Sequence, residues 1–171
     1  MNQVEYFGRG PAENYLDRNA GSMVGLYKST AEELYFPYVR PQENGHHTDT
    51  RWVSLSTGKK GLLIQADNTI GFNALRNSIE DFDDEEATGL SRQWSNFTPE
   101  QVANHDEAAA KNVLRRQHHI NDITPRDFVE VCVDLKQQGV AGYDSWGSRP
   151  EPAYTLPANR EYNWGFTLYS A

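Results

Sequence analysis

The stretch TRWVSLSTGKKGLLIQAD, residues 50–67, decides the fold class of this chain. Residues 50–56 and residues 61–67 are both rich in β-branched, aromatic and other large apolar side chains, and a short polar segment with glycines separates them. Two such runs around a short glycine-containing segment are typical of a β-hairpin. We therefore predict two strands joined by a turn at residues 58–61.

Further strands are predicted on both sides of this hairpin. The candidate segments are residues 4–9, MVGLY at 23–27, LYFPYVR at 34–40, IGFNALR at 70–76, DFVEVCVDLK at 127–136, and two strands around a Pro-Ala-Asn turn within residues 153–171. Proline cannot donate a backbone hydrogen bond to a sheet, so Pro37 indicates an edge strand or a bulge at residues 34–40.

One helix is predicted, at TPEQVANHDEAAAKNVLRR, residues 98–116. Thr98 is a suitable N-cap, Pro99 suits the first turn, and Gln101 completes a capping box. The whole pattern predicts a mostly β protein, an antiparallel β-sandwich with one short helix near residues 99–116. The length of 171 residues suits a single domain, residues 1–171.

Composition and charge exclude several classes of function. The chain has 24 acidic and 16 basic residues, a net charge of −8, and no basic stripe, which argues against a nucleic-acid partner. No apolar stretch is long enough to span a membrane, and residues 1–10 lack the pattern of a signal peptide. Cys132 is the only cysteine, so it forms no intramolecular disulfide and is expected to be buried in a strand.

No metal site is predicted. The acidic segment at residues 80–86 lacks the ligand spacing of a calcium loop and is interpreted as solvated charge. Histidine pairs occur at residues 46–47 and 118–119. Neighbouring residues on a strand point to opposite faces, so each pair can offer only one ligand to a site. His119 and Asp122 are expected to make a local hydrogen bond that orders a turn.

The segment GVAGYDSWGSRP, residues 139–150, is predicted to be an irregular loop because glycine, aspartate, serine and proline dominate it. A loop of this kind is an unusual place for a tryptophan, because an exposed indole leaves a large apolar surface in water. Trp146 either packs back onto the core of the protein or is held out for a ligand. The residues of the loop leave both alternatives open.

Four stretches together resemble the C-terminal domain of bacterial β-galactosidases of glycoside hydrolase family 2. They are FGRGPAENYLDR (7–18), PYVRPQENGHHTDTRW (37–52), DFVEVCVDLKQQGVAGYDSWG (127–147) and the terminal YTLP and YNWGFTL, and they occur in the order that the family has. The motifs G-x-G-P-x-E-N-Y-x-D-R and P-x-E-N-G are specific. Residues 90–117 are less typical, and we interpret them as an insertion.

The resemblance implies a large enzyme that hydrolyses terminal β-D-galactosides such as lactose. In this family two glutamates in a barrel domain catalyse the reaction, and the barrel also holds Mg²⁺, with Na⁺ as a second candidate ion. This chain then corresponds to the C-terminal part of the terminal, galactose-mutarotase-like supersandwich domain. It is expected to contain no catalytic residue, no cofactor and no metal ion, and to be inactive when isolated.

The resemblance also implies a role for Trp146. In this family the tryptophan of the D-S-W-G motif reaches the active site of its own chain and offers a platform to the sugar. Asp144, Ser145 and Gly147 are then expected to set the shape of the loop. Six other motif residues are expected to have structural roles, fixing loops without touching substrate: Glu13, Asn14, Arg40, Glu43, Asn44 and Arg51.

Two other functions remain open: an independent carbohydrate-binding module, and a purely structural domain that helps an oligomer to assemble. The substrate and the other domains of the same chain are the expected partners. The isolated chain is expected to self-associate through unpaired edges of strands such as residues 34–40 or 61–67. The resemblance implies a bacterial protein, and both the cytoplasm and the periplasm remain possible compartments.

Overall fold

The computed structural model describes residues 1–82, 120–144 and 147–170, and these residues contain a six-stranded antiparallel sheet. The strands are β1 (Gln3–Gly10), β2 (Met23–Thr30), β3 (His47–Ser56), β4 (Gly61–Leu75), β5 (Glu130–Asp134) and β6 (Phe166–Ser170). Their order in the sheet is β2-β1-β3-β4-β5, and β6 also pairs with β4. The only helical elements among the described residues are short 3-10 turns, at Ile79–Phe82, Ile120–Asp122 and Pro152–Tyr154. The prediction of a mostly β, antiparallel fold, consistent with a β-sandwich, is therefore confirmed.

Alternation along the strands builds the core. In β1, Val4 and Tyr6 are buried while Gln3 and Phe7 are exposed, which is the period of two expected for a strand with one buried face. The Tyr6 ring lies edge-on to Phe72 of β4, with 5.1 Å between centroids. Burying large side chains of this kind stabilises the fold by about 2 kcal/mol each.

The predicted hairpin is confirmed as β3 and β4, which pair from Ser56 opposite Gly61 to Trp52 opposite Gln65. The Thr57 N–H donates to the carbonyl of Lys60 at 2.9 Å and closes the turn. This hydrogen bond reverses the direction of the chain, so that β3 and β4 lie side by side.

Residues 61–67 and 70–76 were predicted as separate strands, but both lie in the single strand β4. On the side away from β3, its first half pairs with β6 and its second half with β5. β4 is thus an interior strand. The expectation that residues 61–67 present an unpaired edge is wrong.

Residues 34–40 do not form the predicted strand. The Leu34 N–H donates to the carbonyl of Thr30 at 3.0 Å in a turn, and the Phe36 N–H donates to the side chain of Asn44 at 2.9 Å. N–H groups that make these hydrogen bonds cannot also pair with a neighbouring strand. Pro37 has no N–H to offer.

The first of the two strands predicted within residues 153–171 is also absent. Residues 152–154 form a 3-10 turn, and the carbonyl of Tyr154 accepts the Gly139 N–H at 2.7 Å. The second strand is confirmed as β6. The predicted strand at residues 127–136 is confirmed but shorter, as β5, where Cys132 is half-buried rather than buried.

The chain divides into two compact units. The first comprises Met1–Phe36, Asn44–Arg76 and Arg126–Ala171 and contains the sheet. The second comprises Pro37–Glu43 and Asn77–Pro125, and within it the Asn77 side chain donates to the carbonyl of Thr124 at 2.9 Å. The predicted helix near residues 99–116 lies outside the described residues.

Candidate functional site

Asn14 is the centre of a group of polar contacts that follows β1. Its side-chain nitrogen donates to the carbonyls of Arg9 and Ala12, each at 3.1 Å. Its Oδ1 accepts from the backbone N–H of Thr48 at 3.0 Å and from the Thr48 hydroxyl at 2.6 Å. Asn14 is fully buried, so these bonds replace those that water would have made. They tie the segment after β1 to the start of β3.

Glu13 and Asn44 hold the segment that precedes β3. The Glu13 carboxylate accepts the Gly45 N–H at 2.7 Å, and Gly45 has a φ of +74°, which favours glycine. The Oδ1 atom of Asn44 accepts the Phe36 N–H. We call the following residues the polar network: Arg9, Glu13, Asn14, Asn44, His46, His47 and Thr48.

The two adjacent histidines of the network are both buried. His46 stacks on Tyr15 at a centroid distance of 5.7 Å, and its Nδ1 lies 3.9 Å from Oδ2 of Asp134. His47 places its Nδ1 3.0 Å from the carbonyl of Arg9, so this nitrogen carries the donated proton. Burial lowers the pKa of each histidine to about 4, and for His46 the neighbouring His47 lowers the pKa further. Both rings are therefore neutral at pH 7.

The remaining residues with predicted structural roles differ in burial. Arg51 donates to the carbonyl of Asp49, and its guanidinium lies over the ring of Phe7, 5.6 Å from the centroid. Arg40 and Glu43 are exposed.

An ion pair that sequence analysis missed joins Arg9 to Asp49. The Nε of Arg9 lies 2.5 Å from Oδ2 of Asp49, and its Nη1 donates to the carbonyl of Ser22 at 2.8 Å. Arg9 and Asp49 are 40 residues apart, so no local pattern indicates the pair.

The glycine-rich loop, residues 139–150, follows β5 by a short segment. Its described residues, 139–144 and 147–150, contain no strand or helix, so the prediction of an irregular loop is confirmed for them. Ala141 has a φ of +55° and Gly142 a φ of +85°, which turn the chain sharply. The Asp17 carboxylate holds this turn, because Oδ1 accepts the Val140 N–H at 3.0 Å and Oδ2 accepts the Ala141 N–H at 2.8 Å.

Trp146 and Ser145 lie outside the described residues. The residues on either side of them, Asp144 and Gly147, are exposed. Asp144 accepts the Ser148 N–H at 3.3 Å, a contact that spans the tryptophan position. Gly147 has a φ of +86°, a conformation that side chains rarely adopt.

Sequence analysis did not assign a role to Asp17, although it belongs to the E-N-Y-x-D-R motif. Its partners lie 123 and 124 residues further along the chain. The presence of an acid in a specific motif was the only signal that could have indicated it.

No metal-binding arrangement occurs in residues 1–82, 120–144 and 147–170, where no three His, Cys, Asp or Glu side chains are grouped suitably. The acidic residues 83–86 and the pair His118-His119 lie outside these ranges. The expected hydrogen bond between His119 and Asp122 is therefore not among the contacts that the structure describes. In the same ranges, the structure contains no helix long and apolar enough to cross a bilayer.

Comparison with known proteins identifies relatives of nearly the whole chain. Residues 1–168 match the family described as beta galactosidase small chain. The chain is 34% identical over 169 residues to a beta-galactosidase of Priestia megaterium and 29% identical over 167 residues to one of Vibrio cholerae. Each match covers 98% of this chain but only 13% and 12% of the relative's length. A beta-galactosidase of Arthrobacter is 42% identical over 84 residues, 46% of this chain and 8% of the relative. The chain therefore belongs to the beta-galactosidase small chain family.

Proposed function

We propose that this chain is the part of a glycoside hydrolase family 2 β-galactosidase that supplies a sugar platform, Trp146, and packs against the other domains. The hydrolysis of terminal β-galactosides such as lactose takes place in another domain, which carries two glutamates and a magnesium site. The isolated chain then hydrolyses no chromogenic galactoside. Family membership and the small share of each relative's length that it covers support this division of labour.

The observation that carries the proposal is the exposure of the residues that flank Trp146. Asp144 and Gly147 are both exposed, and Tyr143 has 60% of its surface accessible. The backbone on both sides of Trp146 therefore lies at the surface, from which a side chain can reach a neighbouring domain. Loops held by a rigid sheet are suited to reach across a domain boundary.

An indole suits a galactoside because one face of a pyranose ring consists of C–H groups. The indole can cover this face of the sugar while the sugar hydroxyls keep their hydrogen bonds. If about 50 Å² of apolar surface is covered, the gain is about 1 kcal/mol. This amount orients a sugar that other residues bind.

The test replaces Trp146 by alanine in the full-length enzyme and measures the hydrolysis of lactose. We expect kcat/KM to fall about fivefold, the equivalent of about 1 kcal/mol, mainly through a higher KM. Phe128→Ala is the control, because Phe128 is an exposed aromatic residue that belongs to neither candidate sugar site. Unchanged kinetics for Trp146→Ala would remove this residue from the site.

A second candidate function, sugar binding by the chain itself, is favoured by a cleft of about 550 Å³ beside Trp164. The lining residues are Asp67, Asn68, Thr69, Leu135, Lys136, Asn163, Trp164 and Gly165. An exposed indole beside carboxylate, amide and ammonium groups is the kind of surface that binds sugars. If the cleft is such a site, galactose at millimolar concentration shifts the tryptophan fluorescence of the isolated chain, and Trp164→Ala abolishes the shift. The proposed function expects no shift.

The packing role concerns the outer strands of the sheet. Their exposed apolar side chains are Met23, Val24 and Leu26 in β2, and Phe166, Leu168 and Tyr169 in β6. We infer that the rest of the enzyme covers these strands. The isolated chain then self-associates through them, while the net charge of −8 limits aggregation. Sedimentation at several concentrations tests this, and a strict monomer would contradict it.

A further inference from the structure

The Asp17 carboxylate fits the start of the glycine-rich loop closely. Both of its oxygens accept N–H groups, from Val140 and Ala141, so the carboxylate spans two consecutive peptide units. A Cβ atom added to Gly139 would lie 2.5 Å from Oδ2 of Asp17 and 2.9 Å from Cβ of Tyr154. Only glycine at position 139 therefore allows the backbone to approach the carboxylate this closely.

The contact also holds the backbone that follows Gly139. The two residues after Val140 both have positive φ, and Ala141 adopts this conformation without being a glycine. A non-glycine residue at positive φ persists when its surroundings hold it there. The charge-assisted bond from the Ala141 N–H to Asp17, at 2.8 Å, is such a constraint.

Asp17 lies in a tight turn that follows Asn14 of the polar network. The backbone groups of Tyr15 and Arg18 pair with each other, with the Arg18 N–H 2.8 Å from the carbonyl of Tyr15, and close a tight turn around Asp17. The preceding residues Asn14 and Tyr15 are buried. The turn that presents Asp17 is thus anchored to the core of the first unit.

We propose that Asp17 is a positioning residue for the sugar platform. It fixes the start of the glycine-rich loop and thereby the place of Trp146, without touching substrate itself. The inference rests on the proposed function and names the residue on which that function depends within this chain.

The test is a double-mutant cycle of Asp17→Asn and Trp146→Ala in the full-length enzyme, with lactose as substrate. Asparagine has the shape of aspartate, but one of its two terminal groups is a donor that would face a backbone N–H. We expect Asp17→Asn to raise KM up to about fivefold, the full effect of losing the indole, with kcat little changed. In the Trp146→Ala background the same substitution should have no further effect on KM.

Asp127→Asn is the matched control, because Asp127 is fully exposed and its nearest ion-pair partner, Arg76, lies 3.7 Å away. If Asp17→Asn does not fold, Gly139→Ala disturbs the same contact from the loop side. It should raise KM in the wild-type background and have no further effect on KM in the Trp146→Ala background. An equal rise in KM in both backgrounds, or no rise in the wild-type background, would overturn the role of Asp17 while Trp146 stays in the site. If Trp146→Ala alone changes nothing, the proposed function fails and this inference with it.

Discussion

The polar network and the glycine-rich loop both depend on side chains that hydrogen-bond to backbone groups, but they bury these bonds to different degrees. Asn14 and His47 have 0% and 1% of their surface exposed, whereas Tyr143 in the loop has 60%. Each region also contains a glycine at positive φ, Gly45 in the segment before β3 and Gly142 in the loop. The same kind of contact thus occurs once around fully buried side chains and once in a loop that contains exposed residues.

The difference has an energetic consequence. A buried polar group that loses its partner costs about 1 to 3 kcal/mol, while an exposed one exchanges its partner for water at little cost. The network is therefore expected to carry global stability. The loop belongs to the part of the molecule that can be altered without unfolding it, as is usual for binding loops.

The largest expected effect is the response of the network to acid. His46 and His47 have pKa values of about 4 in the folded protein against 6.5 for an ordinary histidine, so folding favours the neutral rings. Their contribution is complete above pH 6.5 and is lost as the pH falls toward 4. The loss is about 3 kcal/mol for each ring, or about 6 kcal/mol for both. Urea unfolding between pH 7 and pH 4 measures it.

A variant of one ring separates this effect from the titration of carboxylates. His47→Phe keeps an aromatic ring beside Phe72 and removes one titrating group. Its stability should fall by about 3 kcal/mol less than that of the wild type over the same pH range. An identical pH dependence in the two proteins would show that the histidines are not responsible.

A smaller effect, about 3 kcal/mol, is expected for Asn14→Ala, because it removes the acceptor of the Thr48 N–H and the donor to the carbonyls of Arg9 and Ala12. The control is Asn163→Ala, since Asn163 is exposed and its side chain donates to Glu161 at 3.1 Å. That change should stay within about 0.5 kcal/mol. Similar losses for the two variants in urea unfolding would contradict the contrast between buried and exposed bonds.

The smallest effect compares the two glycines directly. Alanine at either position has to adopt positive φ, at a cost of about 1 kcal/mol. At Gly45 the added Cβ would also lie 2.9 Å from the carbonyl oxygen of Leu34 and 2.9 Å from Cδ2 of Leu75, whereas at Gly142 no atom of the described residues lies within 4 Å. We expect Gly45→Ala to be less stable than Gly142→Ala by about 2 kcal/mol. Equal thermal unfolding midpoints would refute the difference.

Much of the sheet could be predicted from the sequence because strand formation depends on local pattern. The runs at 50–56 and 61–67 carry the composition of strands, and both are strands. The prediction divided β4 at Asn68 and Thr69, which are polar residues between two apolar runs. Pairing with β6 and then β5 keeps the strand continuous, and that pairing is not a local property.

The sequence by itself determined the antiparallel β class, the irregular conformation of residues 139–144 and 147–150, and the family, because short runs of residues carry the signal for each. The partners of the motif residues were decided only by the tertiary structure. Asn14 meets Thr48, and Asp17 meets Val140 and Ala141, because the sheet brings distant segments together. A hydrogen bond joins two groups that are about 3 Å apart in space. The residues that lie between the two partners in the sequence do not indicate that the bond forms.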